Sequence, residues 1–175
     1  MATAFKVEFE GARELKDLFQ QIEKDFGEKD AQNILRNAVR KSMKPVLETA
    51  RVLAPKDTGG LAASLQVETR KPSNKDKRSK YIYPGDIVIG AVTTASGKKL
   101  AKRKFTNLQT GEKQQGIASD ARATAMEFGT AKTPGKAYLR PALESSSTGV
   151  ATSLGESLKF SLEKYKAKQA KRVKL

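Results

Sequence analysis

From Ile34 to Leu53 apolar side chains return every three or four positions, at Ile34, Leu35, Ala38, Val39, Met43, Val46, Leu47, Ala50 and Leu53. That spacing predicts about five turns of helix with one apolar stripe, which must be buried against another element. Pro45 lies inside the stripe. A proline there removes one backbone hydrogen bond and collides with the preceding turn, so a kink near Lys41–Lys44 or a split into two helices is expected. Asp30 is a plausible N-cap for this element, and Pro55 ends it. An earlier amphipathic helix is predicted from Ala12, Leu15, Leu18, Phe19, Ile22 and Phe26, with Gly27 suited to its C-terminal cap.

Strands are predicted where the period falls to two: Phe5, Val7 and Phe9; residues 65–71; Ile82 to Val92; and Thr124, Met126 and Phe128. Leu61–Leu65 reads as a short helix or the start of a strand. A last helix is expected from Arg140-Pro141, with Pro141 at its first position and a stripe of Leu143, Val150, Leu154, Leu158, Leu162 and Tyr165. The order β-α-α-β-β-β-α predicts an α+β fold: a small, mostly antiparallel sheet packed against an N-terminal helix pair and a long C-terminal helix. One domain is expected over 1–165, with flexible insertions at about 71–80 and 93–120 and a basic tail at 166–175.

The chain has 175 residues and neither cysteine nor histidine. Disulfides, thiolate nucleophiles, histidine triads and the usual general base near neutral pH are therefore excluded. The carboxylates outside the N-terminal segment are scattered, so no metal or cofactor is expected, and the chain is expected not to be an enzyme. No apolar run approaches a membrane span, and Met1 to Phe9 alternates like a strand, unlike a charged-then-apolar leader. Net charge is +15, unevenly spread: residues 1–30 carry −3 and the remaining 145 carry +18. Such polarity serves head-to-tail contact between copies or contact with nucleic acid. Lys98, Lys99, Lys102, Arg103 and Lys104 cluster in the longest polar segment, and Lys171 and Arg172 belong to the basic C-terminus. Both groups suit contact with DNA or a partner. Glu14, Asp17, Glu23 and Asp25 supply an acidic surface for an intersubunit contact.

Two segments carry more specific information. The first is Ala54-Pro55-Lys56-Asp57-Thr58-Gly59-Gly60-Leu61, followed by Ser64-Leu65. The second is Met126-Glu127-Phe128-Gly129-Thr130, then Pro134-Gly135-Lys136-Ala137-Tyr138-Leu139-Arg140-Pro141-Ala142-Leu143. As residue patterns they are turn and cap chemistry. Asp57 or Thr58 caps exposed amides, Gly129-Thr130 ends an element, and Arg140-Pro141 opens a helix. Arg140 is the one position with a further expected role, as a buried or intersubunit ion-pair partner of Glu127.

In this order, with a basic helix before the first and a long helix after the second, the segments resemble a structural family of tailed phages. It is the tail-component family named after gene product ten of phage HK-ninety-seven, similar in role to the lambda tail-completion protein Z. The resemblance spans about residues 30–165; Tyr138 stands where the family commonly has phenylalanine. It implies a virion protein that forms a ring, sixfold by tail symmetry, at the junction of head and tail. The implied partners are further copies of itself, the adjacent head-completion or connector protein, and the tail terminator or tube protein. Genome DNA would pass through the channel with non-specific contact. Assembly would take place in the host bacterial cytoplasm, away from any membrane. The resemblance carries Pro55, Asp57, Thr58, Gly59, Glu127, Gly129, Thr130, Arg140 and Pro141 as determinants of fold. The alternative left by charge alone is a basic, sequence-independent nucleic-acid-binding protein, although few aromatic residues interleave its cations.

Overall fold

A computed structural model describes residues 17, 20, 22–25, 27–78, 82, 87–95, 104–115 and 120–172. The expected strand at residues 5–9, Glu14, and the cations Lys98, Lys99, Lys102 and Arg103 lie outside the described residues. The fold is α+β. Its helices are α1 (Glu28–Ser42), α2 (Lys44–Leu53), α3 (Gly60–Ser64), α4 (Asp120–Phe128) and α5 (Leu139–Arg172). Its strands are β1 (Leu65–Arg70), β2 (Ile89–Thr94), β3 (Lys104–Thr106) and β4 (Lys113–Gln115). Asp17, Gln20 and residues 22–25 are also helical.

Gly27, with φ +80°, donates its amide to Glu23 O at the end of one helical stretch and accepts from Ala31 N at the start of α1. Asp30 is therefore not the N-cap. It lies in the first turn of α1 with Glu28, where negative charge suits the helix dipole. Pro45 divides the long stripe as its chemistry requires. α1 stops at Ser42, and α2 restarts at Lys44 with the proline in its first turn, where no amide hydrogen is needed.

The chain divides into two compact units. One holds residues 1–43, 69–90 and 147–175; the other holds 44–68 and 91–146. In the first, Ile22, Ala31, Ile34, Ala38 and Leu158 form a buried cluster with Leu35 and Leu154 packed on it. The stripes read from the sequence supply most of these residues. Gly90 lets α1 approach β2 closely, since a Cβ there would lie 2.5 Å from Val39 Cγ1. In the second unit Val46, Ala50, Ala54, Leu61, Leu65, Ala123, Tyr138 and Ala142 are buried. Leu53 and Leu143, expected on buried stripes, are about half exposed.

Several expected elements differ. Among the described residues the strands form two pairs, β1 with β2 and an antiparallel β3–β4 hairpin in which Phe105 faces Gln114. Of the strand expected over Ile82–Val92, residues 83–86 lie outside the described residues; β2 covers Ile89–Thr94. The polar segment 93–120 holds that strand end and the hairpin. Within the other polar segment, residues 76–78 form a 3₁₀ turn. Asp76 accepts from Arg70 and from the Ser73 amide and hydroxyl, and these bonds hold its carboxyl well below the usual carboxylate range. The strand expected at Thr124–Phe128 is the helix α4. A three-residue alternation is weaker evidence than the helix propensity of Asp-Ala-Arg-Ala-Thr-Ala-Met-Glu, which is rich in alanine. α5 begins two residues before Pro141 and continues to Arg172, because the Lys-, Ala- and Gln-rich stretch expected as a tail favours helix. Among the described residues, no helix is long and apolar enough to cross a membrane.

Candidate functional site: two motif loops in one unit

Both motif segments belong to the second unit. In the first, Gly59 adopts φ +83° and starts α3, and its carbonyl accepts from Ala63 N. Asp57 faces outward and joins two other elements. Its Oδ1 accepts from Gln109 Nε2 at 2.7 Å, and its Oδ2 accepts from Arg122 Nη2 at 3.1 Å. Thr58 O accepts from Leu108 N at 3.1 Å, while Leu108 Cγ lies 3.2 Å from where a Gly59 Cβ would stand. The turn at Asp57–Gly59 thus seats the tip of the β3–β4 hairpin. That tip is built on buried Asn107, whose Oδ1 accepts from Gln109 N and Thr110 N, and on Gly111 at φ +72°. Asn107, Gln109 and Arg122 were not singled out from the sequence. The Asn-Leu-Gln-Thr-Gly turn chemistry at 107–111 was the available signal for the first two.

The second motif closes on itself. Gly129, at φ +84°, ends α4 and bridges to Pro134. Thr130 Oγ1 accepts from the amides of Lys132 and Thr133, and Lys136 N donates to Met126 O at 2.7 Å. Glu127 is 6% exposed, and its carboxylate grips the start of α5. Oε2 accepts from Tyr138 N at 2.8 Å and Leu139 N at 2.9 Å, and Oε1 from Arg140 N at 3.4 Å. A negative charge on unsatisfied amides at a helix N-terminus is a favourable arrangement. This corrects the ion pair expected between Glu127 and Arg140 within the chain. The Arg140 backbone contacts the carboxylate, whereas its guanidinium lies 5.9 Å from the centroid of the Phe128 ring. Pro141 follows within the same first turn.

Beside this cap is a cleft of about 330 Å³ lined in part by Leu65, Val92, Thr94, Phe128, Tyr138 and Leu139. The Thr94 and Tyr138 hydroxyls are buried without a hydrogen-bond partner. Burial, then the nearby Glu127 charge, pushes the Tyr138 phenol up to about 12. Ionisation is thus harder in the folded chain than in the unfolded one, whose phenol titrates near 10. The associated stability is intact below pH 10 and is lost as pH rises from about 10 through about 12. Tyr138→Phe is expected to remove that alkaline loss in thermal melts. At neutral pH it should stabilise by about 1 kcal/mol, because an unpartnered hydroxyl leaves the interior. A lower melting temperature at pH 7 would contradict this.

Among the other predicted residues, Pro55 is half-buried in the approach to the first motif, and Lys104 is exposed at the head of β3. Lys171 and Arg172 are the last residues of α5. Asp17, Glu23 and Asp25 are exposed. Glu23 lines a shallow cleft of about 280 Å³ with Glu28, Lys71 and Lys77, so lysines of its own unit share its surroundings. Among the described residues, no three acidic, cysteine or histidine side chains gather as a metal site requires. The two motifs orient turns, a hairpin and a helix. Comparison with family models, with curated proteins and with solved structures finds no match to this chain.

Proposed function

We propose that the chain is a structural subunit of a long-tailed bacteriophage, closing into a ring at the head–tail junction through which genome DNA passes. The observation that carries this reading is the pair of motif segments, Pro55–Leu61 and Glu127–Leu143, in the order that resembles the phage tail-component family. Their geometry agrees with architecture as their role. Asp57 seats a hairpin, and Glu127 fixes the first turn of the longest helix. In this reading the chain is not an enzyme. Its partners are five further copies, the connector-side and tail-side proteins of the junction, and DNA held by phosphate contacts alone. A ring needs one face of each subunit to fit a different face of the next, and the −3/+18 charge split supplies two unlike faces.

The test is native mass and negative-stain microscopy of the purified chain, freed of nucleic acid by nuclease and high salt. A closed ring is expected, together with DNA affinity that is sequence-independent and falls steeply with salt. A monomer that holds DNA tightly would overturn the proposal in favour of a basic nucleic-acid-binding protein.

A further inference from the structure

We infer that the surface around Phe128 and Arg140 receives a second copy of this chain, which docks there through the acidic helical residues Asp17 and Asp25 near its N-terminus. The inference rests on the ring reading and specifies its contact.

Among the described large apolar residues Phe128 is the most exposed, at 71%. It stands at the lip of the cleft that holds Leu65, Val92 and Leu139, beside the two hydroxyls without partners. An aromatic ring left in water next to a partly apolar hollow is the anatomy of a contact surface. Its exposed charge is mainly basic. Residues 129–143 contain Lys132, Lys136 and Arg140, all exposed, and no acid. Glu127, which also lines the cleft, is buried against main-chain amides, and exposed Glu144 follows on α5. The complement is an acidic surface, and within this sequence that means the N-terminal segment with its net −3. Two of its other acids are already engaged or flanked: Glu28 bonds Lys71 at 3.5 Å, and Glu23 shares a cleft with Lys71 and Lys77. Asp17 and Asp25 are exposed, and neither lines that cleft. A contact of this kind is heterologous, since the acids of one copy meet the cations of the next, and such contacts build rings. A nucleic acid is the poorer fit. Arg140 already lies over the Phe128 ring, where a stacked base would go, and the hollow beside it is only partly apolar.

The test is sedimentation velocity of the full chain at low and high salt, with circular dichroism as the check on folding. Asp17→Lys with Asp25→Lys, and separately Lys136→Glu with Arg140→Glu, are each expected to weaken association roughly tenfold or more at low salt. All four changes in one chain should restore it, because the pairing is reversed and not removed. Mixing the two reversed chains should likewise restore assembly, as alternating copies, because each then meets an oppositely charged face on both sides. Phe128→Ser, a change at an exposed position, should weaken association with less dependence on salt, and it carries the test if the Arg140 variant does not fold. If the wild type assembles and Phe128→Ser and the cation-reversed chain assemble equally well, this surface is wrong while the ring reading stands. Failure of the four-fold reversal to restore assembly overturns the pairing of acids with cations. If the cation reversal abolishes DNA retention but leaves assembly unchanged, the surface belongs to nucleic acid. A wild type that is monomeric at every concentration removes the ring reading, and this inference with it.

Discussion

Glu127→Ala is expected to destabilise the chain by about 3 kcal/mol. The substitution strips the acceptor from three amides at the start of α5, and a buried donor without a partner costs about 1–3 kcal/mol. The bond from Arg140 N is long and contributes little, so the amides of Tyr138 and Leu139 dominate the loss. For a chain of this size that is a fall in melting temperature of roughly 6–12 °C. Glu127→Gln keeps an acceptor oxygen but loses the charge and turns an amide group toward other donors, so it should cost about half as much. A melting temperature for Glu127→Ala within about 2 °C of the wild type would show that the helix start finds other acceptors.

Gly129→Ala should be equally damaging, for a different reason. The residue sits at φ +84°, and a Cβ would lie 2.6 Å from Gly135 N and 3.0 Å from Thr133 O. These are backbone atoms and cannot swing aside. Left-handed strain of about 1–2 kcal/mol plus this overlap gives a loss of about 3 kcal/mol or more. Gly111 has a similar φ of +72° with nothing near its missing Cβ, so Gly111→Ala should show the strain alone, about 1 kcal/mol. Gly135→Ala isolates the other half. A Cβ there would lie 2.6 Å from Gly129 N and from Phe128 C, with no positive φ to add strain. If melting temperatures show Gly129→Ala no worse than Gly111→Ala, the close approach of these two loop strands is not what holds the turn.

The long periodic segments were legible because burial imposes a period over many residues. The α1–α2 stripe, its break at Pro45 and the buried or half-buried positions Leu154 and Leu158 of the last helix follow from spacing. Short elements were not legible in the same way. Three alternating residues at Thr124–Phe128 lost to alanine-rich helix propensity, and a hairpin with three-residue strands leaves almost no pattern. At the motifs the turn residues were recognisable, but their partners were not. Asp57 lies 52 residues from Gln109 and 65 from Arg122, and no local rule joins them. The role of Glu127 was missed because a carboxylate followed by an arginine suggests a salt bridge. In the fold its partners are main-chain amides, which carry no signature in the sequence.

The interleaving of the two compact units bears on how this polypeptide can be taken apart. The chain passes from one unit to the other after residues 43, 68, 90 and 146. A truncation anywhere between 44 and 146 therefore leaves both units missing strands or helices, and no single cut excises a complete one. During synthesis the second unit is complete only once residue 146 has been made, and the first only with residues from 147 onward. Fragments expressed to study one unit in isolation would have to be stitched from separate pieces of sequence.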